Sequence, residues 1–133
     1  MDLVARNSHL NDASIIEFLV RRGITYTEEH AVLAAENGNS ILLSYILKYT
    51  PSFRNIKKES FNLLDLAING RGDIPTIKAL TLCGFSLNSS HITIAEKRCE
   101  DKIVGYNDDG NILIRQSDIS CTKLINFIIR NAN

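Results

Sequence analysis

The chain has 133 residues, 44% hydrophobic and 23% charged, enough apolar material for one globular core. Lys plus Arg (15) and Asp plus Glu (15) cancel to a net charge of zero, which speaks against a dedicated nucleic-acid binder or a polybasic membrane anchor. The longest apolar-looking run, Ile41 to Leu47, is too short to span a bilayer, and no charged-then-apolar leader follows Met1. Three widely spaced cysteines point away from a disulfide framework and towards a reducing, cytoplasmic setting.

Taken in chain order, the apolar pattern is helical almost throughout. Ile15, Ile16, Leu19 and Val20 form the stripe of a short amphipathic helix, with Asp12 as its N-cap and Gly23 as its stop. The next helix starts after Thr27, places Glu28 and Glu29 in its first turn, where the helix dipole favours them, and ends at Gly38. Ser40 then precedes Ile41, Leu42, Tyr45, Ile46 and Leu47, and Pro51 closes that segment. Ser60 opens a helix through Leu63, Leu64, Ala67 and Ile68. Asp73 caps the following one, with Pro75 in its first turn and Gly84 at its end. Ser90 starts a further helix through Ile92, Ala95 and Cys99.

Beyond Cys99 the helical pattern breaks. Lys102 to Tyr106 and Asn111 to Arg115 are apolar and β-branched, and Asn107-Asp108-Asp109-Gly110 between them is turn chemistry, which predicts a β-hairpin. A last helix runs from about Asp118 to Arg130. Its Leu124, Ile125, Phe127, Ile128 and Ile129 make it apolar nearly all round. We expect the hairpin to cover its far side, with oligomerisation through this helix as the alternative.

Helices of two to three turns are marginal alone and become stable by stacking on neighbours. A cadence of helix, turn, helix and longer loop is the signature of a solenoid. Ala34 and Ala67 are 33 residues apart, and Ala67 and Ala95 are 28 apart.

The clearest unit runs from His30 to Leu47 and reads HAVLAAENGNSILLSYIL. Its Ala34-Ala35-Glu36-Asn37-Gly38 stretch and its paired Ile46-Leu47 resemble the ankyrin-repeat family. Asn62 to Gly84 fits the same pattern, Leu3 to Gly23 fits more loosely, and from His91 the match rests on Ile92, Ile94 and Ala95. The Thr-Pro-Leu-His tetrapeptide that opens family repeats is absent. Glu29-His30-Ala31-Val32, Asn62-Leu63-Leu64-Asp65 and Ser90-His91-Ile92-Thr93 stand in its places, and Tyr49-Thr50 replaces an expected glycine.

The resemblance implies an all-α, ankyrin-like helical-pair solenoid of about four repeats in a single domain over 1–133. Its units fall at about 2–24, 25–51, 58–85 and 90–133, with a β-hairpin insertion at about 101–116 in the last. It also implies a non-catalytic module, without cofactor or metal, that binds a partner protein through a concave face and inter-repeat loops. The family's partner-facing positions fall on Thr25, Tyr26, Glu28, Glu36 and Asn37 in the second unit. In the third they fall on Lys58, Glu59, Phe61 and Asn69, and in the fourth on Leu87, Ser89, Lys97 and Arg98. Tyr26 and Phe61 are the expected anchors, because aromatic side chains dominate interface energetics. Divergent repeats with an Ile and Asn bias are common in viruses and intracellular bacteria that target host proteins, which would place the chain in host cytoplasm. The alternatives are an accessory or regulatory domain of a larger enzyme or complex, and a small helical enzyme using Cys99 or His91 near the hairpin.

Other motifs favour structural roles. Arg71-Gly72-Asp73 matches an adhesion tripeptide but reads as an inter-helix turn capped by Asp73, and Asn88-Ser89-Ser90 is formally a glycosylation sequon. Cys83, Cys99 and Cys121 with His9, His30 and His91 show no metal-ligand spacing. Aligning Gly110 with the glycine of a calcium loop puts Gly105 and Gln116 where carboxylates are required. No phosphate-binding glycine loop, nucleophile elbow or acid/base pair of carboxylates is present.

Overall fold

A computed structural model of the chain describes residues 1–7, 12–100, 103–106, 108–110, 112–114 and 119–132. The described residues are predominantly helical and divide into two compact units, Met1–Phe85 and Ser86–Asn133. Among them no helix is long and apolar enough to cross a membrane. His9, Lys102, Asn107, Asn111, Arg115, Gln116 and Asp118 lie outside the described residues.

The first unit contains α1 (Asp2–Arg6), α2 (Ala13–Arg21), α3 (Glu28–Asn37), α4 (Ser40–Tyr49), a 3-10 turn (Pro51–Asn55), α5 (Leu63–Asn69) and α6 (Ile74–Leu82). Local chemistry sets the ends. The Asp12 carboxylate accepts from Ser14 N at 2.7 Å, and Asp73 accepts from Thr76 N at 3.0 Å. At α3 the Thr27 backbone N–H donates to His30 Nδ1 at 2.8 Å, so the fourth residue of the cap is a histidine where Glu or Gln is usual. Gly38 ends α3 with a φ of 76°, a left-handed conformation that favours glycine.

These helices form two rows. In one, α1 packs on α3 and α3 on α5; in the other, α2 packs on α4 and α4 on α6. The rows join within pairs, α3 to α4 and α5 to α6. Ala31, Ala34, Ala35 and Ala67 are buried in the first row, where small side chains let helices approach closely. Leu42, Leu43, Ile46, Ile77 and Leu80 supply the buried aliphatic face of the second. Between successive pairs the backbone comes closer still: Arg71 N donates to the Glu36 carbonyl at 2.7 Å. A Cβ at Gly70 would stand 2.7 Å from the Glu36 oxygen.

The start of α5 differs from the expectation at Ser60. Glu59 (φ 53°) and Ser60 (φ 72°) are both left-handed and cannot begin a right-handed helix. They form a tight turn instead, across which Lys58 and Phe61 exchange backbone hydrogen bonds, each at 2.9 Å. Asn62 then caps α5 reciprocally with Asp65. The cap of α4 is likewise Asn39, one residue before Ser40.

The second unit contains α7 (Ser89–Arg98), β1 (Ile103–Tyr106), β2 (Ile112–Ile114) and α8 (Ile119–Asn131). α7 starts one residue before Ser90, because Asn88 supplies both halves of the cap: its side chain accepts from Ser90 N at 2.9 Å, and its N–H donates to His91 Nδ1 at 3.0 Å. β1 and β2 pair antiparallel, with an irregular register between Ile103 and Gly105. α8 packs on α7 and buries Cys121, Leu124, Ile125 and Ile128, while Ile129 stays half exposed.

One expectation is overturned here. Cys99 and Cys121 form a disulfide with a Cα–Cα distance of 6.2 Å, which leaves Cys83 as the free cysteine. The two sulfurs are 22 residues apart in sequence and belong to no motif. The packing of α7 on α8 brings them together.

Candidate functional site

The first unit carries an open cleft of about 410 Å³ lined by Val20, Gly23, Ile24, Thr25, Tyr26, Thr50 and Phe53. Three pieces of chain build it. The C-terminus of α2 gives Val20, and Gly23, with a φ of 82°, turns the chain so that Ile24 to Tyr26 run along one wall. The opposite wall comes from Thr50 and Phe53, where Pro51 opens the 3-10 turn after α4.

Tyr26 sits at the centre. Its hydroxyl and the Thr50 hydroxyl are hydrogen bonded at 2.6 Å. Its ring meets Tyr45 edge-on at 6.1 Å and Phe53 edge-on at 6.2 Å between centroids. Tyr45 in turn lies 4.7 Å from the Tyr49 ring. Desolvation raises the Tyr45 phenol above its ordinary pKa of 10.0, with Tyr49, Tyr26 and Glu17 adding to the shift. Tyr45 is therefore a neutral, half-buried support for Tyr26 at physiological pH. Nearby apolar surface faces solvent: Tyr49 is 61% exposed, Phe18 55% and Ile24 40%. The Arg22 guanidinium lies over the Phe18 ring at 4.6 Å.

Of the positions singled out in the sequence, Thr25 and Tyr26 lie in this cleft. Glu28 is exposed in the first turn of α3. A second grouping joins Glu36 to Lys58, whose Nζ is 3.2 Å from the carboxylate, beside the turn that ends at Phe61. The neighbouring Asn37 side chain is turned back onto the Leu33 carbonyl at 2.9 Å. Glu59 and Asn69 are exposed, and Phe61 is half-buried. In the second unit Lys97 and Ser89 are exposed and Arg98 is half-buried, whereas Leu87 is buried and presents no surface to a partner. Thr50 and Phe53 are not apparent as site residues in the sequence. The spacing of Tyr45, Tyr49 and Phe53, each four residues after the last, is the signal that could have found them.

A smaller recess of about 300 Å³ is lined by Arg54, Asn55, Cys83, Gly84 and Phe85. Arg54 is engaged there by the Cys83 carbonyl at 3.1 Å and the Pro51 carbonyl at 3.2 Å. The adhesion-like tripeptide is absorbed by the fold. Gly72 is buried against Ala67, and the Asp73 carboxylate accepts from both the backbone and the hydroxyl of Thr76. Among the described residues no group of three His, Cys, Asp or Glu side chains could hold a metal ion. No family model matches the chain, and no curated protein or solved structure matches it.

Proposed function

We propose that the chain is a non-catalytic protein-interaction module built on ankyrin-like helix pairs. The observation that carries this reading is the lateral stacking of the first unit, which sets inter-pair loops side by side with an exposed aromatic cleft among them. A rigid array of this kind binds with little ordering cost. Further support comes from the caps. Thr27 and His30 stand at the first and fourth positions of a Thr-x-x-His opening, two residues earlier than the register expected from sequence, and His30 Nδ1 accepts the Thr27 N–H. The tight turn at Glu59-Ser60 projects just before α5, as an inter-repeat loop of an ankyrin stack would. On this reading β1 and β2 are an insertion into the last pair, and the contact surface comprises Thr25, Tyr26, Glu28 and the Glu36–Lys58 grouping.

Affinity purification from the native cell with mass spectrometry tests the proposal. The wild-type chain should retain a discrete partner protein, and a Tyr26→Ala, Lys58→Glu double variant should lose it. Absence of any partner of the wild-type chain would overturn the reading.

A further inference from the structure

We propose that the Tyr26 cleft takes a short acidic peptide segment of a partner protein, seating one apolar side chain between Ile24 and Phe53. The inference rests on the interaction-module reading and specifies the partner's chemistry. Three observations support it. First, the cleft wall is largely apolar, with Val20, Ile24 and Phe53 offering surface to a buried aliphatic or aromatic side chain. Its 410 Å³ suits one or two side chains, and its open mouth suits a polypeptide better than an enclosed metabolite. Second, the paired Tyr26 and Thr50 hydroxyls hold two protons and spend one on their mutual bond. The other proton can be donated to a peptide carbonyl or carboxylate at the wall.

Third, the chain flanking the lining residues is positive. Within two positions of the lining residues stand Arg21, Arg22 and Lys48 against one carboxylate, Glu28, and all four are exposed, while the guanidinium of Arg54 is held in the smaller recess. Glu17, one helical turn earlier on α2, also faces Tyr45 electrostatically and narrows that excess. Among the described residues Arg21, Arg22 and Lys48 have no carboxylate partner. A chain with zero net charge thus sets exposed cations beside the segments that line this apolar opening. A partner segment with Asp or Glu flanking a Leu, Phe or Tyr would meet both features, with charge guiding encounter and the apolar anchor setting the off-rate.

The test is to pan a phage-displayed library of random dodecapeptides on the full chain. Enriched peptides are then synthesised, measured by fluorescence anisotropy and mapped by amide chemical shifts. The expected consensus is acidic with one large apolar residue, and the shifts should fall on Thr25, Tyr26, Thr50 and Phe53. Arg21→Glu with Arg22→Glu should weaken binding at least about tenfold. Raising salt from about 0.05 to 0.5 M should weaken it as well. Tyr26→Phe, which keeps the ring but loses the hydrogen bond to Thr50, should bind less tightly while staying folded, with amide shifts changed only around the cleft. A basic or uncharged consensus, no enrichment, shifts mapping elsewhere, or a dimer of the chain that Tyr26→Phe dissociates would each overturn the assignment. If such a result accompanies a native partner still captured by the wild-type chain, the acidic-peptide assignment fails and the interaction module stands. If no native partner is captured, the broader reading fails.

Discussion

The Asn39 side chain donates to the Val4 carbonyl at 2.7 Å and accepts from Leu42 N at 3.0 Å, both in the buried interior. One residue therefore caps α4 from within its own pair and ties that pair to α1. Asn39 is wholly buried, yet it satisfies the helix-start N–H of Leu42 and gives the Val4 carbonyl, which also accepts from Asn7 N at 3.3 Å, a second donor.

Replacing Asn39 with Ala should destabilise the fold by about 2 kcal/mol, since a cap and a buried hydrogen bond to α1 are lost together. Asn39→Asp should be tolerated no better, because it preserves the cap while replacing the donor to Val4 with a carboxylate oxygen. Urea denaturation at constant m-value measures both. An effect within about 0.5 kcal/mol would show that water replaces the lost partners.

Elements with local causes are legible in the sequence, and elements with distant causes are not. Asp12, Thr27 and Asp73 cap the helices where their spacing to the apolar stripes says they should. Ser60 misleads because a hydroxyl residue before an apolar run looks like a cap, whereas the positive φ at Glu59 and Ser60 belongs to a turn closed by Lys58 and Phe61. The candidate cleft is half legible. Tyr26 stands out as an aromatic in a loop, but its partner Thr50 is 24 residues away and arrives through packing of α4. The Cys99–Cys121 bond is hidden for the same reason.

Two glycines with similar backbone angles should respond differently to substitution. Gly38 (φ 76°) would bring a Cβ to 2.8 Å from the Arg71 carbonyl, while Gly23 (φ 82°) has nothing within 4 Å. Gly23→Ala therefore carries only the left-handed strain, about 1 kcal/mol. Gly38→Ala adds a clash between two backbones of successive pairs and should cost roughly 2 kcal/mol or more. Thermal denaturation of the two variants side by side gives the ranking; equal losses would mean that the Arg71 segment moves aside freely.

Strong acid should weaken the contact between α1 and α3, once pH falls below the ordinary carboxyl value of 3.8. His30 Nδ1 accepts the Thr27 N–H, so in the neutral ring Nε2 carries the proton donated to Asp2. That hydrogen bond holds the Asp2 carboxyl below its ordinary value of 3.8. A depressed folded value means the stabilisation is fully present above that ordinary value and is lost as pH falls through the folded one. Asp2 is exposed, so the effect at neutral pH is small. Asp2→Asn should flatten the acid limb of a pH–stability profile and leave its neutral plateau nearly unchanged. An unaltered acid limb would assign that limb to other carboxylates.

The disulfide makes the second unit sensitive to redox conditions. Closing a loop between positions 22 residues apart typically stabilises by about 2–4 kcal/mol. Thiol titration of the denatured, unreduced chain should therefore find one reactive thiol, Cys83, and full reduction should raise the count to three. Under dithiothreitol, hydrogen exchange should accelerate in α7 and α8 while α3 to α6 keep their protection, because the bond lies wholly within Ser86–Asn133. Cys121→Ser should reproduce the exchange pattern of the reduced protein without any reductant. In a reducing compartment the same segment loses the bond's contribution and relies on packing that includes Leu124, Ile125 and Ile128. Three reactive thiols in protein purified under air, or protection in α7 and α8 that dithiothreitol does not change, would remove the disulfide from the stability of this unit.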